Sequence, residues 1–516
     1  MIEAQSTHHR TASRNTIGDA VRRAARKHRG RIALVFGDRR WSYAELDCAV
    51  NRVALAFAEA GVRPGDRVGA YGRNSDAYAL AWLACTRLGA VHVPINYALG
   101  ADELDYILGQ SGCRVLINDT DLAPTADKVA ESAGVKIRGT FYGGGALDVL
   151  TAADGTGDPG EPAESPEDHH VAQLLYTSGT TAAPKAAMMT HRALLSEYTS
   201  CLVELDIDRD EVQLAALPLY HSAQMHVFLM PALLVGAKVI IIPAPAAGEC
   251  FELIERERID AFFAPPTVWI SLLRDPGFDH HDLTSLRRAY YGASIMPVPV
   301  LHELRERLPG VGVYNCYGQS EVAPLATVLR PEEHDDRPSS AGRPVLNVET
   351  RIVDTDMNDV PPGEHGEIVH RSPQLLVGFW DKEEQTREAF EGGWFHSGDV
   401  GYVDDEGYLY VVDRIKDVIN TGGIVVAGRE VEDVLFTHPS VSEVAVIGVP
   451  DERWIEAVAA VVVLREGETA TAEELIEHAR AHLAPFKLPK QVIFEDALPR
   501  NTAGKILKRE LRARFG

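Results

Sequence analysis

The sequence predicts an α/β protein with more than one folding unit, and three observations carry that prediction. Short β-branched runs alternate with segments of helical period over most of the chain, which is the signature of strands joined by crossover helices in a largely parallel sheet. At 516 residues, with 45% hydrophobic and 24% charged side chains, the chain is composed like an ordinary globular protein and is long enough for roughly two to four folding units. Near residue 402 the texture changes to two alternating strands around an acidic glycine turn, YVDDEGYLYVVDRIKD, and a compact tail follows.

In chain order, Ile17, Ala20, Val21 and Ala24 recur at helical spacing, and residues 32–36 read as a strand. Ser42 with Glu45 makes a capping box that opens a helix ending at Gly61. The runs VHVPIN and RVLIND are strand candidates flanking the helical ADELDYILGQSG. Residues 144–170 are rich in Gly, Pro and acids without sustained periodicity, so they read as a surface connector. From 205 to 390 the alternation continues, with AKVIIIP, a helix over FELIERERI, and DAFFAPP. The tail from about 417 to 516 has its own strands, VSEVAVIGV and VAAVVVL, and its own helices.

The net charge of −24 argues against nucleic acid or an anionic membrane as the main partner, because the field of the whole molecule repels polyanions. An anionic ligand must meet positive groups concentrated locally. The first residues hold no apolar run suited to a signal peptide, and nowhere do eighteen uncharged apolar residues follow one another, so a cytoplasmic location without stable membrane insertion is expected. Six cysteines lie scattered without a C-x-x-C pair, which suggests buried free thiols rather than disulfides or a zinc ribbon. No third ligand stands at metal-binding spacing from His221, His226 or the pairs His169/His170 and His280/His281.

The stretch LLYTSGTTAAPKAAMMTH, 174–191, carries the chemistry. Tyr176, Thr177, Ser178, Thr180 and Thr181 surround Gly179, and Lys185 follows. The run is neither a P-loop nor a Rossmann turn, yet it offers hydroxyl donors, backbone N–H groups and an ammonium to a polyphosphate. Four further motifs follow in order: YGQSE at 317–321, GWFHSGD at 393–399, DRIKD at 413–417 and PRNTAGKIL at 499–507. Five motifs in this order, over a chain matched from about residue 16 to its end, resemble the adenylate-forming superfamily. Within it the chain is most similar to bacterial fatty-acyl-CoA and aryl-CoA synthetases.

That resemblance implies a large N-terminal domain of α/β subdomains (1–413), a hinge (414–416, with Lys416 at the pivot) and a small mobile α+β C-terminal lid (417–516). It implies that Thr177, Ser178, Gly179, Thr180, Thr181 and Lys185 grip the ATP phosphates and that Tyr317 stacks on adenine. Gly292, Ala293 and Ser294 would line that ring beside Gly318 and Gln319, with Ser320 on the α-phosphate, and Asp399 and Arg414 would hold the ribose. Glu321 would place Mg²⁺, a hard cation that takes one or two carboxylates plus phosphate oxygens. His221 would gate an acyl channel, with Met225, Tyr291, Gly318 and Ala323 as candidates beside the acid. Lys505 would steady the attacking carboxylate, and losing such a charge costs on the order of 10²–10³ in rate. Gly422 and Gly423 would line a thiol tunnel, where a narrow channel needs backbone without side chains.

The implied reaction is activation of a carboxylic acid by MgATP to an acyl-adenylate, followed by transfer to CoA, in a monomer or homodimer. Two departures from the family pattern qualify it. Ile424 and Val425 follow the glycine pair where Glu-Asn is usual, with Gly428 in place of Pro, which keeps open a carrier-protein pantetheine or an amine as acceptor, or a small oxyanion such as nitrite as substrate. Ala182 and Ala186 stand where Gly is usual, a cost only where the backbone needs φ > 0. A non-catalytic nucleotide-binding protein is the remaining alternative, and the presence of Lys505, Glu321 and Asp399 argues against it.

Overall fold

The computed structural model describes residues 12–163, 165–177, 184–294, 296–415, 417–421, 424–451, 455–500 and 506–516. Two mostly parallel sheets form the bulk of the molecule. One has nine strands, in the spatial order 343–344, 325–329, 312–318, 288–292, 261–263, 212–215, 238–241, 32–36 and 39–42. Its interior pairings are parallel and its edges antiparallel. The other has six strands, in the order 137–140, 115–118, 67–71, 91–95, 171–177 and 185–190, and only the last pair is antiparallel. The parallel strands are nearly continuous apolar runs because helices cover both faces; Val91–Ile95 and Val115–Asn118, for example, are buried throughout.

The local signals translate directly. The helix Tyr43–Glu59 opens on a capping box in which Ser42 Oγ accepts from Glu45 N and the Glu45 carboxylate accepts from Ser42 N. The helix Ile17–Lys27 buries Ile17, Val21, Ala24 and Ala25, the stripe that its spacing announces. The connector 144–170 holds one short helix, Val149–Ala153, capped by Asp148 and seated on the core through Val149 and Ala153.

A four-stranded antiparallel sheet follows, in the order Glu349–Val353, Gly366–Arg371, Phe395–Val403 and Leu409–Arg414. Its last two strands are those read from the texture change, turning at Gly407 with φ 82°. The C-terminal residues build a separate sheet in which Val441–Asp451 and Ile455–Leu464 pair antiparallel over their length, flanked by Ile419–Thr421, Ile424–Val426 and Gln491–Phe494. That sheet has its own apolar clusters, one on each side.

Candidate active site

The hydroxyl-rich loop joins two antiparallel strands, Val171–Thr177 and Lys185–Thr190, so that Thr177 and Lys185 stand directly opposite at the loop's neck. Ser178, Gly179, Thr180 and Thr181 lie outside the described residues, as does Ala182. Lys185 Nζ sits 5.4 Å from the Phe379 ring centroid, a cation–π contact that fixes the ammonium beside the neck. Ala186 is paired with Tyr176 in the strand and is not among the residues with positive φ, so its methyl group costs nothing there.

Thr177 meets the second motif across the molecule: its hydroxyl donates to Glu321 Oε1 at 2.9 Å. Glu321 sits on a 3₁₀ turn, Ser320–Val322, immediately after the strand Gly312–Gly318. Its enclosed position pushes the carboxyl pKa up, and the Thr177 hydrogen bond works against that. Ser320 Oγ lies 2.8 Å from Ser222 Oγ, which brings the segment after His221 onto the same turn. Ser222, which no motif announced, thereby joins the candidate site.

The strand ends are close-packed. A Cβ on Gly292 would stand 2.3 Å from Cys316 O, and one on Gly318 would stand 1.8 Å from Pro324 O. Next to each glycine neighbourhood an alanine takes the left-handed conformation, Ala293 at φ 64° and Ala323 at φ 76°; such strained non-glycine residues concentrate at functional sites. Ala293 and Ser294 are exposed at the sheet's C-terminal edge, where open α/β sheets bind ligands. Gln319 Nε2 is buried with no hydrogen-bond partner among the described residues.

The third cluster joins three motifs. Tyr317 donates its hydroxyl to Asp399 Oδ2 at 2.8 Å, and Arg414 Nε lies 3.2 Å from Asp399 Oδ1, because Asp399 and Arg414 face each other across the antiparallel pair. Burial and the Asp399 charge drive the Tyr317 phenol well above its ordinary pKa, so it stays a donor. Each Asp399 oxygen has a second lone pair left for another hydroxyl.

His221 precedes a π-helix, Ala223–Leu229, a form that occurs mostly at functional sites. Burial lowers the imidazole pKa to about 4, so the ring is neutral, and its Nε2 is buried with no hydrogen-bond partner among the described residues. Met225, in the same π-helix, is fully buried. Tyr291 points away from this group: its hydroxyl is 3.2 Å from His334 Nε2, whereas the ring of Tyr290, on the opposite face of the strand, meets Phe228 of the π-helix at 5.0 Å. Period-2 alternation decides which tyrosine shares that face. Lys416, Gly422, Gly423 and Lys505 lie outside the described residues.

Residues 21–380 match the family model for AMP-binding enzymes, and residues 430–505 match the model for the AMP-binding enzyme C-terminal domain. A feruloyl-CoA synthase from an Amycolatopsis species is 40% identical over 495 residues, covering 96% of this chain and 98% of its own. The crystal structure of an anthranilate CoA ligase in complex with anthranoyl-AMP superposes with a TM-score of 0.90 at 27% identity, covering 97% of both chains. An amide bond synthetase from Marinactinospora thermotolerans superposes with a TM-score of 0.88 at 28% identity, covering 96% of this chain and 99% of that one. With both family models matched in order, and with Thr177 meeting Glu321 and Tyr317 and Arg414 meeting Asp399, the chain belongs to the AMP-binding enzymes of the adenylate-forming superfamily.

Proposed function

We propose that the protein is an AMP-forming acyl-CoA synthetase that activates an aromatic or fatty carboxylic acid. The observation that supports this best is the meeting of Thr177 with Glu321 and of Tyr317 and Arg414 with Asp399: donors for phosphate, one carboxylate and a ribose-type acceptor come from three sheets and gather at the end of the strand Gly312–Gly318. The relatedness to a feruloyl-CoA synthase and the fold likeness to an anthranilate CoA ligase favour an aryl acid.

In the first step the substrate carboxylate oxygen attacks the α-phosphorus of ATP, the bond to the β-phosphate oxygen breaks, and pyrophosphate leaves. This step needs charge stabilisation more than proton transfer. The residues given to the triphosphate are Thr177, Ser178, Gly179, Thr180, Thr181 and Lys185, and those given to adenosine are Gly292, Ala293, Ser294, Tyr317, Gly318, Gln319, Asp399 and Arg414. Ser320 is assigned to the α-phosphate and Lys505 to the attacking carboxylate. Glu321 with the adjacent Thr177 hydroxyl is an all-oxygen donor set with one carboxylate, which fits Mg²⁺; the ion would neutralise phosphate charge. His221, Met225 and Ala323 are assigned to the acid side, where the neutral imidazole avoids repelling or trapping a charged group. In the second step a thiol attacks the acyl carbon and AMP leaves, with Gly422 and Gly423 along the thiol path and Lys416 at the hinge between 1–413 and 417–516. Six free thiols suit a reducing, cytoplasmic setting, and no helix among the described residues is long and apolar enough to cross a membrane.

The test is pyrophosphate release across a panel of aryl and fatty acids, with and without CoA. Acid-dependent release that reaches full turnover only with CoA is expected, with an acyl-CoA product. Release indifferent to CoA but accelerated by an amine or a carrier protein points to the other acceptors that Ile424 and Val425 keep open. No release with any acid sinks the reading.

A further inference from the structure

One helix supports both sides of the candidate site, and beyond its first residue, His191, none of its residues belongs to a motif described above. The helix His191–Glu204 turns Glu197, Ser200 and Cys201 toward the 320–325 segment and Tyr198 toward the π-helix. Glu197 is fully buried, and no cation among the described residues pairs with it. Burial drives its pKa well above the ordinary carboxylate value. A buried acid without a counter-charge is costly, so its hydrogen bonds indicate what it is retained for. Oε1 accepts from Leu325 N at 3.1 Å and from the Cys201 thiol at 3.3 Å, and Oε2 accepts from Gln374 Nε2 at 2.6 Å.

The same Gln374 amide donates to Val322 O at 3.2 Å and Leu325 O at 3.0 Å, and its Oε1 accepts from Ser200 at 2.6 Å. Two residues on, Leu376 N donates to Glu321 O at 2.9 Å. Glu197 and Gln374 thus hold the backbone that presents Ser320 and Glu321.

Tyr198 does the corresponding work for the phosphate-loop strand. Its hydroxyl lies 2.8 Å from His226 Nδ1, and His226 Nε2 lies 2.7 Å from Gln173 Oε1. An amide oxygen only accepts, so His226 carries its proton on Nε2, and Nδ1 accepts from Tyr198. Burial lowers the His226 pKa to about 3, which keeps that arrangement in one protonation state. Gln173 lies on the strand Val171–Thr177, four residues before Thr177. The two branches meet again where the Thr177 hydroxyl reaches Glu321 at 2.9 Å, which closes a ring of contacts through the core.

We propose that Glu197 and Tyr198 are positioning residues that set the spacing between Thr177 and Glu321, and through it the affinity for MgATP. The proposal rests on the reading of these two residues as nucleotide ligands. Apart from the partly buried Thr177 and Glu321, the polar groups of the ring are buried, so loss of one of those members cannot be repaired by water without moving its neighbours. Replacing Glu197 by Gln exchanges an oxygen, which accepts whether or not it carries the acid proton, for an NH₂ that only donates and that must face either the Gln374 amide or the Leu325 N–H, both donors already.

The experiment measures MgATP binding by calorimetry, together with KM for MgATP and KM for the acid, in the full chain and in two variants. Glu197→Gln is expected to weaken MgATP binding and raise KM for MgATP about tenfold, with KM for the acid unchanged within twofold. Tyr198→Phe, which removes one hydroxyl and keeps the ring, is expected to raise KM for MgATP about threefold with the same selectivity. Tyr198→Phe decides the question alone if Glu197→Gln does not fold. Unchanged MgATP affinity in a folded variant, or equal shifts in both KM values, overturns the proposal. Absence of MgATP binding in the unaltered protein indicts the nucleotide reading itself.

Discussion

Asp399 serves two partners at once, the Tyr317 hydroxyl at 2.8 Å and Arg414 at 3.2 Å, and these contacts differ in kind. The bond from Arg414 is charge-assisted and worth roughly 1.5–3 kcal/mol, whereas a neutral phenol bond contributes about 0.5–1.5 kcal/mol. Asp399→Asn removes the charge and leaves Arg414 without its partner, so KM for ATP should rise roughly 10–100-fold. Tyr317→Phe keeps the ring for stacking and loses only the hydroxyl, so its rise should stay below about tenfold. Steady-state kinetics with ATP varied at saturating acid checks both; equal effects would mean that the hydroxyl, not the ion pair, organises this end of the candidate site. At this scale the motifs made Asp399, Arg414, Tyr317 and Glu321 legible in the sequence, because each stands in a short run with a recognisable chemical type. Their mutual contacts were not legible. The partner of Tyr317 lies 82 residues away, and Glu197 is an ordinary acid at helical spacing until burial gives it a role.

The site's elements meet along strand ends that tolerate no extra atoms. The strands Arg288–Gly292 and Gly312–Gly318 pair in parallel, with Gly292 opposite Cys316, and a Cβ on Gly292 would lie 2.3 Å from the Cys316 carbonyl oxygen. That oxygen belongs to the backbone and cannot swing aside, so relief requires the strands to part. Gly292→Ala should therefore destabilise the protein by about 1–3 kcal/mol and weaken nucleotide binding, since Ala293 directly follows one of the strands that must move and Tyr317 lies on the other. A thermal melt with and without ATP tests this, and an unchanged midpoint would show that the strands have slack. The parallel sheets themselves were legible, because runs such as VHVPIN and RVLIND alternate with helical segments and a crossover fixes their direction. Two elements were not. The helix Val149–Ala153 has five residues, too few to establish a period. The π-helix Ala223–Leu229 carries a pattern that a 3.6-residue template does not separate from an α-helix. Tyr290, whose ring meets Phe228, and Tyr291 face opposite sides of one strand, and which of the two meets the π-helix follows only from the face that helix covers.

Across the whole molecule, the C-terminal sheet carries a cluster of charges beside the strand Leu409–Arg414. Asp413, next to Arg414, accepts the Gly428 N–H at 3.1 Å, a bond that the proline usual in the family at this position could not donate. Lys508 Nζ lies 2.8 Å from Glu432 Oε1, which also accepts from Val446 N at 2.8 Å. Arg512 reaches Asp417 at 2.6 Å from the same terminal helix, Lys508–Phe515. Burial alone would raise the Glu432 pKa, yet Lys508 and Arg429 hold it below its ordinary value near 4.5. Burial would lower Lys508, and Glu432 and Asp413 hold it above 10.5. The linkage signs follow. The Glu432 contribution is present above its unfolded pKa and is lost as pH falls through the lowered folded value; the Lys508 contribution is present below 10.5 and is lost as pH rises through the raised one. Between these limits the pair is intact, and removing one member of a buried pair costs about 3 kcal/mol. Lys508→Met should therefore lower the melting temperature of the C-terminal region most at neutral pH. The gap to the unaltered protein should narrow below about pH 4.5, where protonation of Glu432 removes the stranded charge from the variant while the intact protein loses its pair. Calorimetric melts from pH 7 to pH 3.5 measure that gap. A gap that stays constant or widens toward acid would mean that Lys508 acts through packing of its methylene stem rather than its charge, and that the attachment of the terminal helix is apolar.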